Sequence, residues 1–292
     1  MPKKPAHQLL LEKWGSKNEE LKENLLKKHS ESLSWVKNNS RNLAIGSLGG
    51  LLMLASLGPT SSVINHKTFA QEEPHKKIDQ KAFLISDLAN VLPKEVGSMN
   101  PAAESKVQEV LNRNFGLKVT AEIDGKRLNT TYGIIGAEQH LARFPGDGIG
   151  SHFDTAQEAN QYTSSGMAPG LGAWGYFASS QKQMTKEDSD REKYYIAVQT
   201  FLSKDFNLRF AEYRDFYKYR KMLIVNPNNG KAMVVDIGDA GPSPWTGKHL
   251  GGSPEVMGYL ERVDGAGRGP VLYYFIEDPD NKVPLGPIEI VK

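Results

Sequence analysis

Two apolar segments joined by a short polar turn constrain the fold of this chain more than any other feature. Met222 to Val225 and Ala232 to Ile237 each have the length and composition of a buried strand. Between them, Asn226 to Gly230 carries the asparagine, proline and glycine residues typical of a turn. The second run is apolar enough for the core of a barrel, so the sequence predicts paired, buried strands here.

The residues after the second strand predict a turn and then a short helix. Gly238 to Pro242 (GDAGP) is expected to end the strand and to place the Asp239 carboxylate at a barrel rim. Farther along, Ser253-Pro254 is expected to start a helix, with proline at its first position and Glu255 in its first turn.

The strand, turn, strand, turn and helix in this order resemble the core of the double-psi β-barrel shared by rare lipoprotein A and the expansins. The shared elements are an N-x-x-N-G-K turn at 226–231 and a D-x-G-P turn at 239–242, and the resemblance covers about residues 220–265. The glycine-rich segment 170–178 is similar to the first strand region of such barrels. The implied fold is α+β: a C-terminal six-stranded double-psi β-barrel, a mixed helical and loop N-terminal extension, and an N-terminal membrane or signal segment.

The resemblance also implies a groove that holds a glycan, with the D-x-G-P aspartate as a candidate acid. That residue is Asp239, and the second acidic position of many relatives corresponds here to Gly251. Glycan cleavage usually needs a proton donor and a second group. The candidate catalytic residues are therefore Asp239, His249 and Asp236, and the candidate substrate-binding residues are Trp245, Lys248, Trp174 and Tyr176.

The resemblance implies two alternative functions, and a separate cluster of residues gives a third. The first is cleavage of peptidoglycan strands in the manner of a lytic transglycosylase, and the second is expansin-like binding of cell-wall polysaccharide without catalysis. The third is a cell-wall metallopeptidase that uses the cluster Glu138, His140, Asp147, His152 and Asp154. Because this cluster lacks H-E-x-x-H or another regular ligand spacing, the expectation is no metal and no cofactor.

The N-terminal third predicts a location at the cell envelope. Leu43 to Leu57 contains no charged residue and follows a stretch with Lys27, Lys28, Lys37 and Arg41. This pattern is typical of a signal or membrane anchor with the later residues outside the cytoplasm. The chain has no cysteine, which excludes disulfides, thiolate metal sites and a cysteine nucleophile.

The expected organisation has five parts. Residues 1–42 form a basic, amphipathic cytoplasmic tail, residues 43–63 the anchor or signal segment, and residues 64–80 a linker. Residues 81–165 form a mixed accessory region and residues 166–292 the barrel.

The expected partners are peptidoglycan or another cell-wall polysaccharide and, through residues 43–63, the membrane. No nucleic-acid partner is expected, and nucleotide binding is unsupported because no phosphate-binding glycine motif is present. The oligomeric state is left open.

Local patterns predict the elements before the barrel block. Helices are expected from Phe83 to Leu92 and from Pro101 onward, and a strand from Phe115 to Ile123 that ends in an Asp124-Gly125 turn. Thr185 is expected to cap a helix that carries Tyr194, Tyr195, Val198 and Phe201.

Overall fold

The computed structural model describes residues 79–262 and 267–291 of the chain. The predicted tail, anchor segment and most of the linker lie outside the described residues. In the described ranges, no helix is long and apolar enough to cross a membrane.

The helices are α1 (Gln80–Val91), α2 (Pro101–Phe115), α3 (Ala156–Tyr162), α4 (Lys186–Lys193), α5 (Phe210–Tyr217) and α6 (Pro254–Leu260). The strands are β1 (Val119–Thr120), β2 (Glu122–Ile123), β3 (Lys126–Arg127), β4 (Tyr132–Ala137), β5 (Tyr195–Val198), β6 (Lys221–Val225), β7 (Ala232–Ala240), β8 (Leu250–Gly252), β9 (Arg268–Ile276) and β10 (Gly286–Ile288).

Six of these strands close into a ring in the order β9-β4-β8-β5-β7-β6, and β6 pairs with β9 to complete it. The pairs β4–β8 and β5–β7 are parallel, and the other pairs of the ring are antiparallel. β1 adds to β9, β10 adds to β7, and β2 and β3 form a separate hairpin. The fold is a closed, mixed six-stranded β-barrel with helices, which confirms the α+β barrel prediction at this level.

The barrel wall explains why its strands are continuously apolar. Along β6, Met222 and Ile224 face the interior of the barrel, while Leu223 and Val225 pack against an outer cluster that includes α1 and α2. The same alternation runs along β7 and β9. Because successive side chains of a strand point to opposite faces and both faces are buried here, nearly every position needs an apolar residue.

The second outer helix, α2, begins at Pro101 as predicted, whereas α1 begins at Gln80, three residues before the predicted Phe83. The Asn100 side chain accepts a hydrogen bond from Ala103 N at 2.8 Å at the start of α2, which has Pro101 at its first position. Gly116, at φ 63°, ends this helix in a left-handed conformation. The predicted strand from Phe115 is therefore wrong at its beginning, because Phe115 still belongs to the helix. Only the short strands β1 and β2 follow, and the predicted turn at 124–125 joins β2 to β3.

Two boundaries near the barrel also differ from the prediction. Thr185 does cap α4 through a capping box with Asp188, but the helix ends at Lys193. Tyr195 to Val198 form the ring strand β5, with all four residues buried. Strand β7 continues to Ala240, so Asp239 lies within the strand and not in a turn after it. Both errors arise because pairing in the ring outweighs local propensity.

Residues on both sides of position 166 contribute to the ring. β4 lies at Tyr132–Ala137, and it pairs with β8 and β9 from the C-terminal range. Much of the intervening chain forms loops and short helices between β4 and β5. This arrangement places the loops that follow β4 next to the ends of β7 and β8.

Candidate functional site

The asparagine-rich turn that carries much of the resemblance has a structural role. Asn226 Nδ2 and Asn229 Nδ2 donate to the carbonyl of Leu260 at 2.7 and 3.2 Å, which satisfies the C-terminal end of α6. Gly230 has φ 69°, a conformation that favours glycine. The N-x-x-N-G-K motif thus joins the β6–β7 turn to α6.

Three glycines of the barrel wall make room for polar side chains. A methyl group built on any of them would lie 2.7 Å or less from a side-chain atom of a neighbouring residue; the pairs are Gly133 with His249, Gly136 with Lys248 and Gly251 with Glu138. The sequence had indicated special backbone geometry for the glycines of 133–150. Only Gly146 among them has a positive φ, so at Gly133 and Gly136 the reason is space.

Glu138 occupies the space beside Gly251, the position at which the resemblance implies a second acidic residue and the sequence has glycine. Its Cγ would lie 2.2 Å from a Cβ at Gly251, and its Oε1 is 2.6 Å from Lys248 Nζ. Lys248 Nζ also donates to the carbonyl of Ala137 at 3.2 Å. The sequence had assigned Glu138 to a different cluster. A carboxylate from another segment therefore stands near the position that the sequence leaves as glycine.

Asp239 lies half-buried near the end of β7, with backbone amides around one oxygen. Ala173 N and Ala240 N donate to Asp239 Oδ1 at 2.6 and 2.7 Å. Burial raises the pKa of the Asp239 carboxyl, although these two bonds oppose the shift, and the charge of Glu138 raises it further. A raised pKa favours the protonated form that a general acid needs.

Four further predicted site residues differ in their hydrogen bonds and in their exposure; they are His249, Trp174, Trp245 and Tyr176. His249 Nδ1 accepts a hydrogen bond from Ile134 N at 3.1 Å, which assigns the remaining ring proton to Nε2. Burial lowers the pKa of His249, so the ring is neutral at pH 7. Trp174 is anchored by a bond from its indole N–H to the carbonyl of Ile237. Trp245 is 88% exposed, and Tyr176 is partly exposed.

Asp236 is directed away from the barrel interior and borders a separate cavity. The alternation along β7 points Asp236 outward, into a cavity of about 370 Å³ that is also lined by Lys186, Arg191 and Lys221. Neither carboxylate oxygen has a hydrogen bond among the described residues, and Arg191 Nε is 4.0 Å away. Burial raises the pKa of Asp236 well above its ordinary value, although Arg191 opposes the shift.

Replacing Asp236 with asparagine is expected to flatten the pH dependence of stability. Since the folded protein retains a proton that the unfolded chain releases above about pH 4, the free energy of unfolding of the wild type falls as pH rises from there toward the folded-state pKa. The contribution is up to about 1.4 kcal/mol per pH unit. Urea unfolding at pH 4.5 and 7 measures it, with the exposed Asp215→Asn as control. Equal slopes in wild type and Asp236→Asn would contradict the buried, protonated carboxyl.

A second group of titratable side chains is buried where the loop that follows β4 packs against α4 and α6. One side-chain nitrogen or oxygen from each of His140, His152 and Glu192 lies within 4.8 Å of the others, and all three residues are buried. His152 Nε2 is 3.0 Å from Glu192 Oε2, and His140 Nδ1 is 3.5 Å from Glu192 Oε1. Burial alone would raise the pKa of Glu192, but the neighbouring His140 and His152 lower it to about 2.

Further groups surround this cluster. Arg143 holds Asp147 through two side-chain bonds at 2.9 and 3.1 Å, and Asp147 Oδ2 lies 3.0 Å from His152 Nδ1. Glu255, from the first turn of α6, is buried, and its Oε2 lies 3.9 Å from His140 Nδ1. Burial raises the pKa of Glu255 to about 7.

The structure thus divides the five residues that the sequence had grouped. His140, Asp147 and His152 come together, while Glu138 faces Lys248 and Asp154 is exposed. Glu192 and Glu255 complete the group from α4 and α6, and the sequence pattern missed both residues. Glu255 carried one usable signal, because it follows the predicted Ser253-Pro254 helix start.

Comparison with known proteins adds no family to this description. No family model matches the chain, and no curated protein matches it either.

Proposed function

We propose that this protein acts on cell-wall polysaccharide through Asp239 and Glu138, and that it cleaves peptidoglycan strands as a lytic transglycosylase does. The observation that carries the proposal is the Glu138 side chain beside Gly251. It places a second carboxyl group beside Gly251, where the sequence alone lacks one, and the charge of this group acts on Asp239. Two carboxyl groups in different environments are the usual requirement for cleaving a glycosidic bond.

Strand pairing supports a location of both carboxyl groups at one groove. Ala197 of β5 pairs with Asp239 on one side and with Gly251 on the other. The backbones of these two residues are therefore two interstrand spacings apart, about 10 Å. The charges of Glu138 and Asp239 both act on the buried Tyr195 phenol, whose pKa is raised mainly by burial. The proposed sugar chain would reach the two carboxyl groups at the end of β5, since the four residues of that strand are themselves buried.

The two groups have environments that suit different roles. Asp239, with its raised pKa, would protonate the glycosidic oxygen as the bond from that oxygen to the anomeric carbon breaks. Glu138, paired with Lys248, would take the proton of the sugar 6-hydroxyl. As this proton leaves, the 6-hydroxyl oxygen would bond to the anomeric carbon. The product is an anhydro sugar, and no water is consumed. The neutral His249 would donate a hydrogen bond from Nε2 to a sugar oxygen.

The proposal includes the double-psi form of the barrel and a location outside the cytoplasm. Two parallel pairs within a six-stranded ring, β4–β8 and β5–β7, support the first part, together with the N-x-x-N-G-K and D-x-G-P order. The basic residues before the uncharged run of 43–57 support the second part. A reporter fused after residue 80 that is active only in the cytoplasm would contradict this location.

Non-catalytic binding of the same polysaccharide is the second candidate. It is favoured by Trp245, whose side chain is 88% exposed and would stack on a sugar ring at little cost in rearrangement. This function requires neither Asp239 nor Glu138 to transfer a proton.

Product analysis separates cleavage from binding. The full chain, purified in detergent, is incubated with peptidoglycan, and the soluble fraction is examined by mass spectrometry. Anhydro-muropeptides support the transglycosylase. Sedimentation of the protein with peptidoglycan and no released product supports the binding function. Hydrolysed products that carry a free reducing end, or neither binding nor release, contradict the proposal.

A further inference from the structure

The buried histidine cluster contains polar atoms that no described side chain or backbone group satisfies. Neither ring nitrogen of His140 has a hydrogen bond in the described part of the chain, although the residue is fully buried. The same holds for Glu255 Oε2, which lies 3.9 Å from His140 Nδ1. Because an unsatisfied buried polar group is costly, two such groups facing each other indicate a missing partner.

We infer that His140, His152, Glu192 and Glu255 bind one zinc ion. Zinc bonds of about 2.1 Å in a tetrahedral arrangement place the ligand atoms about 3.4 Å from each other. The observed separations are 3.0 Å from His152 Nε2 to Glu192 Oε2, 3.5 Å from His140 Nδ1 to Glu192 Oε1 and 3.9 Å from His140 Nδ1 to Glu255 Oε2, so each histidine faces a different oxygen of Glu192. Small side-chain movements would bring all four groups to zinc-binding distance.

The residues around these four have the positions expected of groups that orient metal ligands. Asp147 Oδ2, 3.0 Å from His152 Nδ1, would accept a hydrogen bond from the Nδ1–H group, which leaves Nε2 to face the ion. Arg143 holds Asp147 in place, and Leu141 N donates to Glu192 Oε1 at 2.9 Å. A histidine oriented by a carboxylate is the usual arrangement behind a zinc ligand.

The ligand chemistry and the enclosure favour a structural zinc site. Two imidazoles and two carboxylates suit zinc, and thiolates are excluded because the chain has no cysteine. The cavity beside His152, Glu192 and Glu255 has a volume of only about 10 Å³, so no substrate enters. The ion would join the loop after β4 to α4 and α6. This inference reverses the sequence-based expectation of no metal, disfavours the peptidase alternative and does not depend on the proposed glycan activity.

Metal content and melting of the full chain test the site. The detergent-purified protein is stripped with a chelator, reloaded with zinc, dialysed and analysed by atomic emission. We expect about one zinc ion per chain, since four buried protein ligands close the site. Zinc at about 1,000 times its dissociation constant should raise the melting temperature by about 10 °C. Cobalt(II) in its place should give the intense visible absorption of a tetrahedral ion.

Variants assign the ion to these residues. His140→Gln and Glu192→Gln should abolish stoichiometric binding, whereas Asp147→Asn should weaken zinc affinity about 10- to 100-fold. His249→Gln, a histidine outside the cluster, is the matched control and should retain the ion. If the ligand variants do not fold, the wild-type zinc content and cobalt spectrum decide. No bound zinc and no thermal shift in the wild type would overturn the inference, as would a folded His140→Gln protein with one zinc per chain.

Discussion

Asp239→Asn is expected to lower the rate of peptidoglycan cleavage by about 10²- to 10⁴-fold, the usual contribution of one positioned general acid. Asparagine keeps the side-chain oxygen that accepts from Ala173 N and Ala240 N, so the end of β7 retains its two hydrogen bonds. The amide cannot deliver a proton to the leaving oxygen. Release of anhydro-muropeptides by wild type and variant at equal folded concentration measures the loss.

Binding and melting measurements show whether a lower rate reflects lost catalysis, lost binding or lost folding. Asp239→Asn should retain the wild-type melting temperature and sediment with peptidoglycan as the wild type does. Trp245→Ala is the matched control for binding, because its exposed ring should contribute about 1 kcal/mol to affinity by stacking. A well-folded Asp239→Asn protein with unchanged turnover would remove Asp239 from the mechanism and leave non-catalytic binding as the better function.

The parts of the fold that local sequence determines could be predicted. β6, the turn after it and the start of α6 lie where the sequence placed them, because apolar runs, turn residues and a proline at the first helical position act over a few residues. β5 could not be predicted in the same way. Its four residues lie between β7 and β8, and these partners are distant in sequence.

The candidate site also depends on residues that are distant in sequence and that local patterns could not bring together. Asp239 could be named as a candidate from its motif, whereas the proposed second carboxylate, Glu138, lies about 100 residues earlier and was identified only by the space it fills at Gly251. Glu192 is likewise 40 residues from His152, so no ligand spacing in the sequence reveals the cluster. Asp236 and Asp239 are close in sequence, yet the alternation along β7 gives Asp236 a different set of neighbours.

Gly251→Ala is expected to reduce turnover by about 10²-fold or more, although position 251 donates no side chain to the reaction. A Cβ at this position would lie 2.2 Å from Glu138 Cγ and 2.5 Å from Glu138 Cδ. The Glu138 side chain must therefore move away from Gly251, which breaks its ion pair with Lys248. We expect the free energy of unfolding to fall by about 1–3 kcal/mol, as for other overpacked sites. Turnover and urea unfolding of the same preparations measure both effects.

A double-mutant cycle tests whether the loss passes through Glu138. Glu138→Ala alone should lower turnover as much as Gly251→Ala, and the double variant should lose no more than either single variant, because both remove the same carboxylate. Gly170→Ala is the matched control, since no atom lies within 4 Å of a Cβ at that position. If Gly251→Ala retains turnover, or if the two losses multiply, Glu138 is not the second carboxylate. Asp239 would then need another partner, and the geometry at Gly251 would no longer support cleavage.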